Sequence, residues 1–204
     1  MISDLNKNFV KLVRNLYRDE NIVPLHRPIF NTKEKNIMVE CIDSNFVSST
    51  GILVDKFEKM IQDFTGLKYA VATVNGTSAL HIGLKLLGVE KGNEVITQAV
   101  NFVASSNAIS YCNANPIYID VNKDNFGMCP RALSRFLETN TKRTNNILIN
   151  KHTGNKISAC LPVHVFGNPC DIEEIKKVCS KFNLPILEDI AESLGSFVKK
   201  KHTG

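Results

Sequence analysis

From Tyr69 onward, short apolar runs alternate with amphipathic helical stretches, and this alternation constrains the fold more than any other feature of the chain. "YAVATV" (69–74) reads as a strand, and "TSALHIGLKLLG" as a helix apolar nearly all round, hence buried. "EVI" (94–96) follows a Gly-Asn turn, a helix is expected from about Asn101 to Tyr111, and "PIYIDV" is strand-like. "PRALSRFL" opens with a proline suited to a first helical turn. "NILIN" and "KISACLPV" flank "KHTGN", a predicted hairpin. In "DIEEIKKVCSKF", Asp171 precedes Glu174 by three residues, a capping-box spacing, and Ile172, Ile175, Val178, Cys179 and Phe182 face inward. "LPILED" is the last strand. Strands separated by helices of this length predict an α/β layered domain on a largely parallel sheet.

The first third of the chain lacks that texture. Ile2, Leu5, Phe9, Leu12, Val13 and Leu16 form one helical stripe, opposed by Lys7, Lys11 and Arg14. A second stripe joins Ile37, Met38, Cys41 and Ile42. A third helix follows "VSSTG", with Ser49 or Thr50 as its cap, runs through Leu53, Phe57, Met60 and Phe64, and stops at Gly66. "KHTG" occurs at 151–154 and 201–204, each copy being expected at a hairpin tip.

Composition excludes several classes. With 43% hydrophobic and 22% charged residues, the 204-residue chain is ordinary for a globular protein. Six scattered cysteines without a C-x-x-C pair read as reduced, buried small hydrophobes rather than a disulfide framework or zinc site. The net charge of +5 is spread along the chain and its one dense run is Lys199-Lys200-Lys201, so no nucleic-acid patch is expected. No apolar run approaches the ~18 residues a membrane span needs. The N-terminus has no basic region followed by an apolar one, and a cytoplasmic chain is expected.

In open α/β sheets, ligands sit beyond the carboxyl ends of the strands, where three segments fall. In "VNGTSAL" a strand ends at Val74 and a helix starts near Thr77; free N–H groups and a hydroxyl there either bind phosphate or merely cap the helix. In "QAVNFVASSNA", Phe102 either stacks on a planar ligand or joins the core. In "PILEDIAES", Glu188 and Asp189 point to opposite faces, so one of them must find a cation or face water. A phosphate nest, a flat ring and a carboxylate together suit pyridoxal phosphate, with Asp189 on the pyridinium nitrogen. Neither G-x-G-x-x-G nor G-x-x-x-x-G-K-[ST] occurs, which removes support for a nicotinamide or nucleoside-triphosphate reading.

The run "VSSTGILVDKFEKMIQDFTGLKYAVATVNGTSALHIGLKLLGVEKGNEVI", with "NFVASSNAI", "LPVHVFGNPCDIEEI" and "LEDIAESLGS", resembles the DegT/StrS family of sugar aminotransferases. "NILINKHTGNKISACLPVHVFG" and "EDIAESLGS" look most like members that make amino sugars of the legionaminic acid or bacillosamine kind. The resemblance implies a pyridoxal 5′-phosphate enzyme of fold type I (aspartate aminotransferase-like), whose large domain has three layers around a mostly parallel mixed sheet. The helical stripe at the start of the chain is expected as an N-terminal helix over 1–22, and the resemblance, from about Val23 onward, implies a cofactor-binding large domain over 23–204, truncated and without its smaller C-terminal domain. Gly76, Thr77 and Ser78 would hold the phosphate, Phe102 and Ala191 would cover the two ring faces, and Asp189 would bind the ring nitrogen. Glu192 stands where many relatives have glutamine at the ring hydroxyl. Ser49 and Thr50 resemble a substrate-side segment, the helix-cap reading competing; His164 either lines the pocket or is a satisfied buried histidine.

The activity implied is amination of a UDP-linked 4-keto-6-deoxy sugar by glutamate, in a homodimer. The family's Schiff-base lysine is expected beyond Gly204. Lys199, Lys200 and Lys201 are not substitutes for it, so the chain alone is expected to be inactive. The alternatives are a non-catalytic relative acting through cofactor or partner binding, and a pyridoxal phosphate-dependent sugar dehydratase.

Overall fold

The computed structural model describes residues 3–18, 22–24 and 27–204. Contacts divide the chain into two compact units, residues 1–54 and 55–204, a later division than the one expected after residue 22.

The first unit holds α1 (Asp4–Tyr17) and α2 (Thr32–Asp43). Ser3 caps α1 through its hydroxyl, and α2 opens with a reciprocal capping box between Asn31 and Glu34. Neither helix buries a residue: Leu5, Phe9, Leu12 and Leu16 of the α1 stripe are exposed, while Ile2 lies outside the described residues. Helix α3 (Ile52–Thr65) starts after Gly51, so neither Ser49 nor Thr50 is the residue immediately before it; Ser48 and Thr50 pair their hydroxyls at 3.3 Å instead. It ends as predicted at Gly66, whose φ of 76° is the left-handed terminal turn.

The second unit is built on parallel strands. β1 (Glu94–Gln98) pairs in parallel with β2 (Asn115–Ile119) on one side and β5 (Ile157–Cys160) on the other. Residues 186–189 extend the sheet beyond β5 through the parallel bridges Cys160–Ile186 and Val163–Asp189. Alternation along each strand sorts the side chains to two faces. Val95, Ala159, Leu161 and Leu187 pack with α4 (Gly76–Leu86) and α5 (Val103–Tyr111). Ile96, Cys160 and Ile186 pack with α6 (Pro130–Asn140) and α7 (Ile172–Lys181) on the other. Helix, sheet, helix gives the three layers expected. Two antiparallel pairs complete the unit: β3 (Thr141–Thr144) with β4 (Ile147–Asn150), and β6 (Phe197–Val198) with β7 (Lys201–His202).

Several expectations are corrected. The "YAVATV" segment forms no strand; Tyr69, Val71 and Val74 are exposed, and the Ala72 N–H donates to Glu58 at 2.7 Å. Helix α4 is not buried all round, since Leu80 and Leu84 face the core while Ile82 and Leu86 are exposed. Asp171 makes no side-chain cap on α7: its backbone, at φ −74° and ψ 67°, is not in the extended conformation of a capping residue, and the Glu174 side chain that would complete the box is engaged by Lys177 at 2.5 Å. The first "KHTG" lies at a hairpin tip as expected, closed by Asn150 N–H on the Asn155 carbonyl and the antiparallel Ile149–Lys156 bridge, but the hairpin is short, since β4 pairs onward with β3 and β5 with β1. The second copy is not at a tip. Lys199 and Lys200 take φ of 48° and 68°, making the two-residue turn, and "KHTG" begins on the returning strand.

A candidate cofactor site at the carboxyl ends of the strands

Sheet alternation decides the fate of the two adjacent acids. Glu188 falls on the α6/α7 side and meets Lys176 Nζ at 2.9 Å, His164 Nε2 at 3.2 Å and the Gly204 N–H at 3.1 Å. Burial pushes its carboxyl up, but the bonds from His164 and Lys176 outweigh burial and hold it at about 2. Asp189 falls on the α4/α5 side, only 6% exposed. Its Oδ2 accepts from the Ser105 hydroxyl at 2.7 Å and its Oδ1 from the Ala191 N–H at 3.1 Å. Among the described residues no cation pairs with it. An ionised carboxyl has about four acceptor positions, and two are taken.

Helix α5 brings the aromatic residue to the same place. Phe102 is its N-cap, 73% exposed, and its carbonyl accepts from the Ser105 N–H at 3.2 Å. The ring therefore belongs to neither core cluster and stands one helical turn from the serine that holds Asp189.

Helix α4 packs against α5 through Leu80, Leu84, Ala108 and Ile109. It also crosses the strand that carries Asp189: a Cβ on Gly83 would lie 3.0 Å from both Leu187 methyls. At its N-terminus Asn75 caps the Ser78 N–H at 2.8 Å, and Ala79 N–H bonds the Asn75 carbonyl. Gly76 and Thr77 are the first two helical residues, whose N–H groups have no intrahelical acceptor. A Cβ on Gly76 would meet nothing within 4 Å, so an anion can approach the backbone there. Of the three residues expected to hold phosphate, Ser78 thus has its N–H engaged in capping and only its hydroxyl unpaired. These donors, the exposed ring and the part-satisfied carboxylate fit a phosphorylated, cationic heteroaromatic cofactor.

Other candidates are placed differently. His164 is fully buried. Its Nδ1 accepts from the Cys170 N–H at 3.1 Å, so the ring proton sits on Nε2 and donates to Glu188. Both nitrogens are engaged and the ring offers a substrate no free polar atom, which corrects the pocket-lining alternative. Glu192 is exposed, with Oε2 accepting from the Phe166 N–H at 2.7 Å. That bond anchors Phe166 in a left-handed conformation, φ 55°, unusual for a bulky residue. Ala191 is exposed and touches Asp189 through its backbone. Ser49 and Thr50 belong to the first unit, where Thr50 lines an apolar cavity of about 440 Å³ with Met38, Phe46 and Leu53.

Two residues escaped the sequence reading. Ser105 lay hidden in "ASSNA", where only a helical register tells it from Ser106, which faces Tyr118 at 3.0 Å. Gln98, at the end of β1, is fully buried with four hydrogen bonds: its amide nitrogen donates to the Val100 and Phe126 carbonyls, and its oxygen accepts from Met128 and Val163.

The profile of the DegT/DnrJ/EryC1/StrS aminotransferase family matches residues 28–204. The chain belongs to this family. It is 35% identical over 182 residues to GDP-perosamine synthase of Escherichia coli O157:H7, covering 89% of this chain and 46% of that protein. It is also 35% identical to the putative pyridoxal phosphate-dependent aminotransferase EpsN of Bacillus subtilis, over 88% of this chain and 44% of EpsN. The solved aminotransferase from Psychrobacter cryohalolentis superposes with a TM-score of 0.75 at 28% identity, covering 89% of this chain and 42% of that one. A 3-amino-5-hydroxybenzoic acid synthase gives 0.74 at 26%, over 88% and 43%. The chain thus spans less than half the length of these relatives, and its fold is that of the pyridoxal phosphate-dependent aminotransferases in the large domain.

Proposed function

We propose that residues 23–204 supply the cofactor-binding large domain of a pyridoxal phosphate-dependent sugar-nucleotide aminotransferase, which moves an amino group from glutamate to a 4-keto-6-deoxy sugar nucleotide in a cytoplasmic homodimer. The observation that carries this reading is Asp189, a buried carboxylate on the α4/α5 face whose two donors are both neutral. Family membership and the relatives' names, a perosamine synthase and a pyridoxal phosphate-dependent aminotransferase, support it.

Pyridoxal 5′-phosphate supplies, when bound, an electron sink for proton removal beside the amino group. The chain's own residues bind and orient it. Asp189 holds a proton at the ring nitrogen, since a buried carboxylate favours a cationic partner. The Gly76 and Thr77 N–H groups and the Thr77 and Ser78 hydroxyls bind the phosphate at the positive end of α4. Phe102 covers one ring face and sheds water from it, Ala191 lies toward the other, and Glu192 stands near the ring hydroxyl. Ser49 and Thr50 are assigned to the substrate side. Lys176 is committed to Glu188 on the opposite face of the sheet and Lys199 to Glu173, so the Schiff-base role is assigned to no lysine of these elements.

The test uses the complete polypeptide that the gene encodes. Glutamate should convert bound pyridoxal phosphate to pyridoxamine phosphate, seen by absorbance, and a UDP- or GDP-linked 4-keto-6-deoxyhexose should reverse the change with formation of an amino sugar. Folded protein that shows neither spectral change refutes the reading.

A further inference from the structure

We infer that Ser105 is a positioning residue for the cofactor nitrogen: its hydroxyl fixes the orientation of Asp189 and couples that carboxylate to the ring-covering Phe102. This rests on the reading of Asp189 above.

Ser105 is fully buried, and its Oγ lies 2.7 Å from Asp189 Oδ2. A buried carboxylate needs hydrogen-bond donors in place of the lost water, and Asp189 has two: this hydroxyl and the Ala191 N–H on the other oxygen. One donor per oxygen fixes the carboxylate plane and leaves acceptor capacity on each for a third donor. The Ala191 bond is local, spanning two residues of the same loop, and cannot place Asp189 relative to anything else. The Ser105 bond spans 84 residues and ties the strand end to α5. Because Ser105 N–H bonds the Phe102 carbonyl, the serine sets where the carboxylate stands relative to the start of α5, and hence to the aromatic ring there. Ser106 lacks this role; it turns to Tyr118.

A purely structural tether would stabilise the fold without caring about the ligand's ring nitrogen, and this separates the two possibilities. The probes are 4′-deoxypyridoxine 5′-phosphate, which binds without covalent attachment, and its carbocyclic counterpart with CH in place of the ring nitrogen. Their affinities for the full chain are measured by calorimetry. The wild-type chain should prefer the nitrogen-bearing probe. In Ser105→Ala that preference should fall roughly tenfold to a hundredfold, the loss of one hydrogen bond to a charged group, with the carbocyclic affinity unchanged. Ser105→Thr, which keeps the hydroxyl, should restore it. If the alanine variant does not fold, Ser105→Cys replaces it, because a thiol fills the site but donates weakly. Equal weakening of both probes, or an unchanged preference in Ser105→Ala while Asp189→Asn abolishes it, overturns the inference and leaves the Asp189 reading standing. No preference in the wild-type chain, or a preference that survives Asp189→Asn, overturns both.

Discussion

Gln98 offers the sharpest energetic test of how the sheet end is held. Its side chain is fully buried, and every amide atom that can bond does so: Nε2 to Val100 O and Phe126 O, both at 3.1 Å, and Oε1 from Met128 N at 2.9 Å and Val163 N at 3.1 Å. The amide therefore joins β1 to the loop before α6 and to the segment leading into His164. Gln98→Leu keeps the approximate volume and removes all four bonds. The Phe126 carbonyl belongs to an exposed residue and can turn to water, but the Met128 and Val163 N–H groups are buried and stranded. Each stranded donor costs about 1–3 kcal/mol, so about 2–6 for the pair. The leucine returns about 1–2 kcal/mol of apolar burial. Mid-range values, about 4 less about 1.5, give a net loss of about 2.5 kcal/mol, a large fraction of the 5–15 kcal/mol that holds a typical domain together.

The assay is urea unfolding of the full chain, followed by circular dichroism. With a slope of about 2 kcal/mol/M, the midpoint should fall by about 1–2 M with the slope unchanged. Gln98→Glu sharpens the test. A carboxylate still accepts from both N–H groups but faces two carbonyl oxygens, so its pKa in the folded state is raised, and this variant should recover stability as pH falls. A leucine variant within 0.5 kcal/mol of wild type, at equal slope, refutes the reasoning.

Glu188 should show the opposite pH dependence: its carboxyl is held at about 2, below the ordinary value, so its contribution is full above about pH 4.5 and lost as pH falls toward 2. Thermal unfolding at pH 6 and pH 3 should show a smaller acid destabilisation for Glu188→Gln than for wild type, and an identical one would refute the assignment. Gly127→Ala should destabilise by about 1–3 kcal/mol, because the new Cβ would lie 2.4 Å from Cys170 Cβ and 2.9 Å from its Cα, contacts only a backbone shift can relieve; a neutral melting temperature would count against the packing described. Replacing Lys199-Lys200 by Asn-Gly should stabilise the β6–β7 turn by about 1 kcal/mol, since both positions have positive φ and the Lys199–Glu173 pair is exposed. A lower melting temperature would refute that one.

The elements with strong periodicity were legible from sequence. Helices α3, α5, α6 and α7 and strands β1 and β2 fall where the sequence puts them; α6 and α7 do so because each buries a periodic apolar face, whereas α3 buries no residue. The opposite orientation of Glu188 and Asp189 was legible for the same reason. Pairing was not. Tyr69–Val74 has strand-like composition, but a ladder needs a neighbour, and nothing in six residues says whether one is present. Capping was legible at Gly66 and misread at Asp171, whose backbone is not in the extended conformation a cap needs. Ser105 and Gln98 were invisible because each has a polar neighbour, Ser106 and Thr97, from which composition cannot tell it; only the fold shows which carbonyl, amide or carboxylate each one meets.

The two neighbouring acids also explain why one end of the sheet can be both firm and receptive. Glu188 is saturated: an ammonium, an imidazole N–H and a backbone N–H surround it, and adding a fourth partner would gain little. Asp189 is the more deeply buried of the two but has only neutral donors, a hydroxyl and a backbone N–H. Neutral hydrogen bonds orient a buried carboxylate and replace part of its lost hydration but supply no counter-charge, so a cation presented along the acceptor positions they leave open binds favourably. Had the strand slipped by one residue, the roles would exchange: the acid facing α5 would be Glu188, one methylene longer and with Lys176 out of reach, while Asp189 would lie against α7. The register set by Val163 opposite Asp189 is therefore what gives one carboxylate to the fold and the other to the ligand.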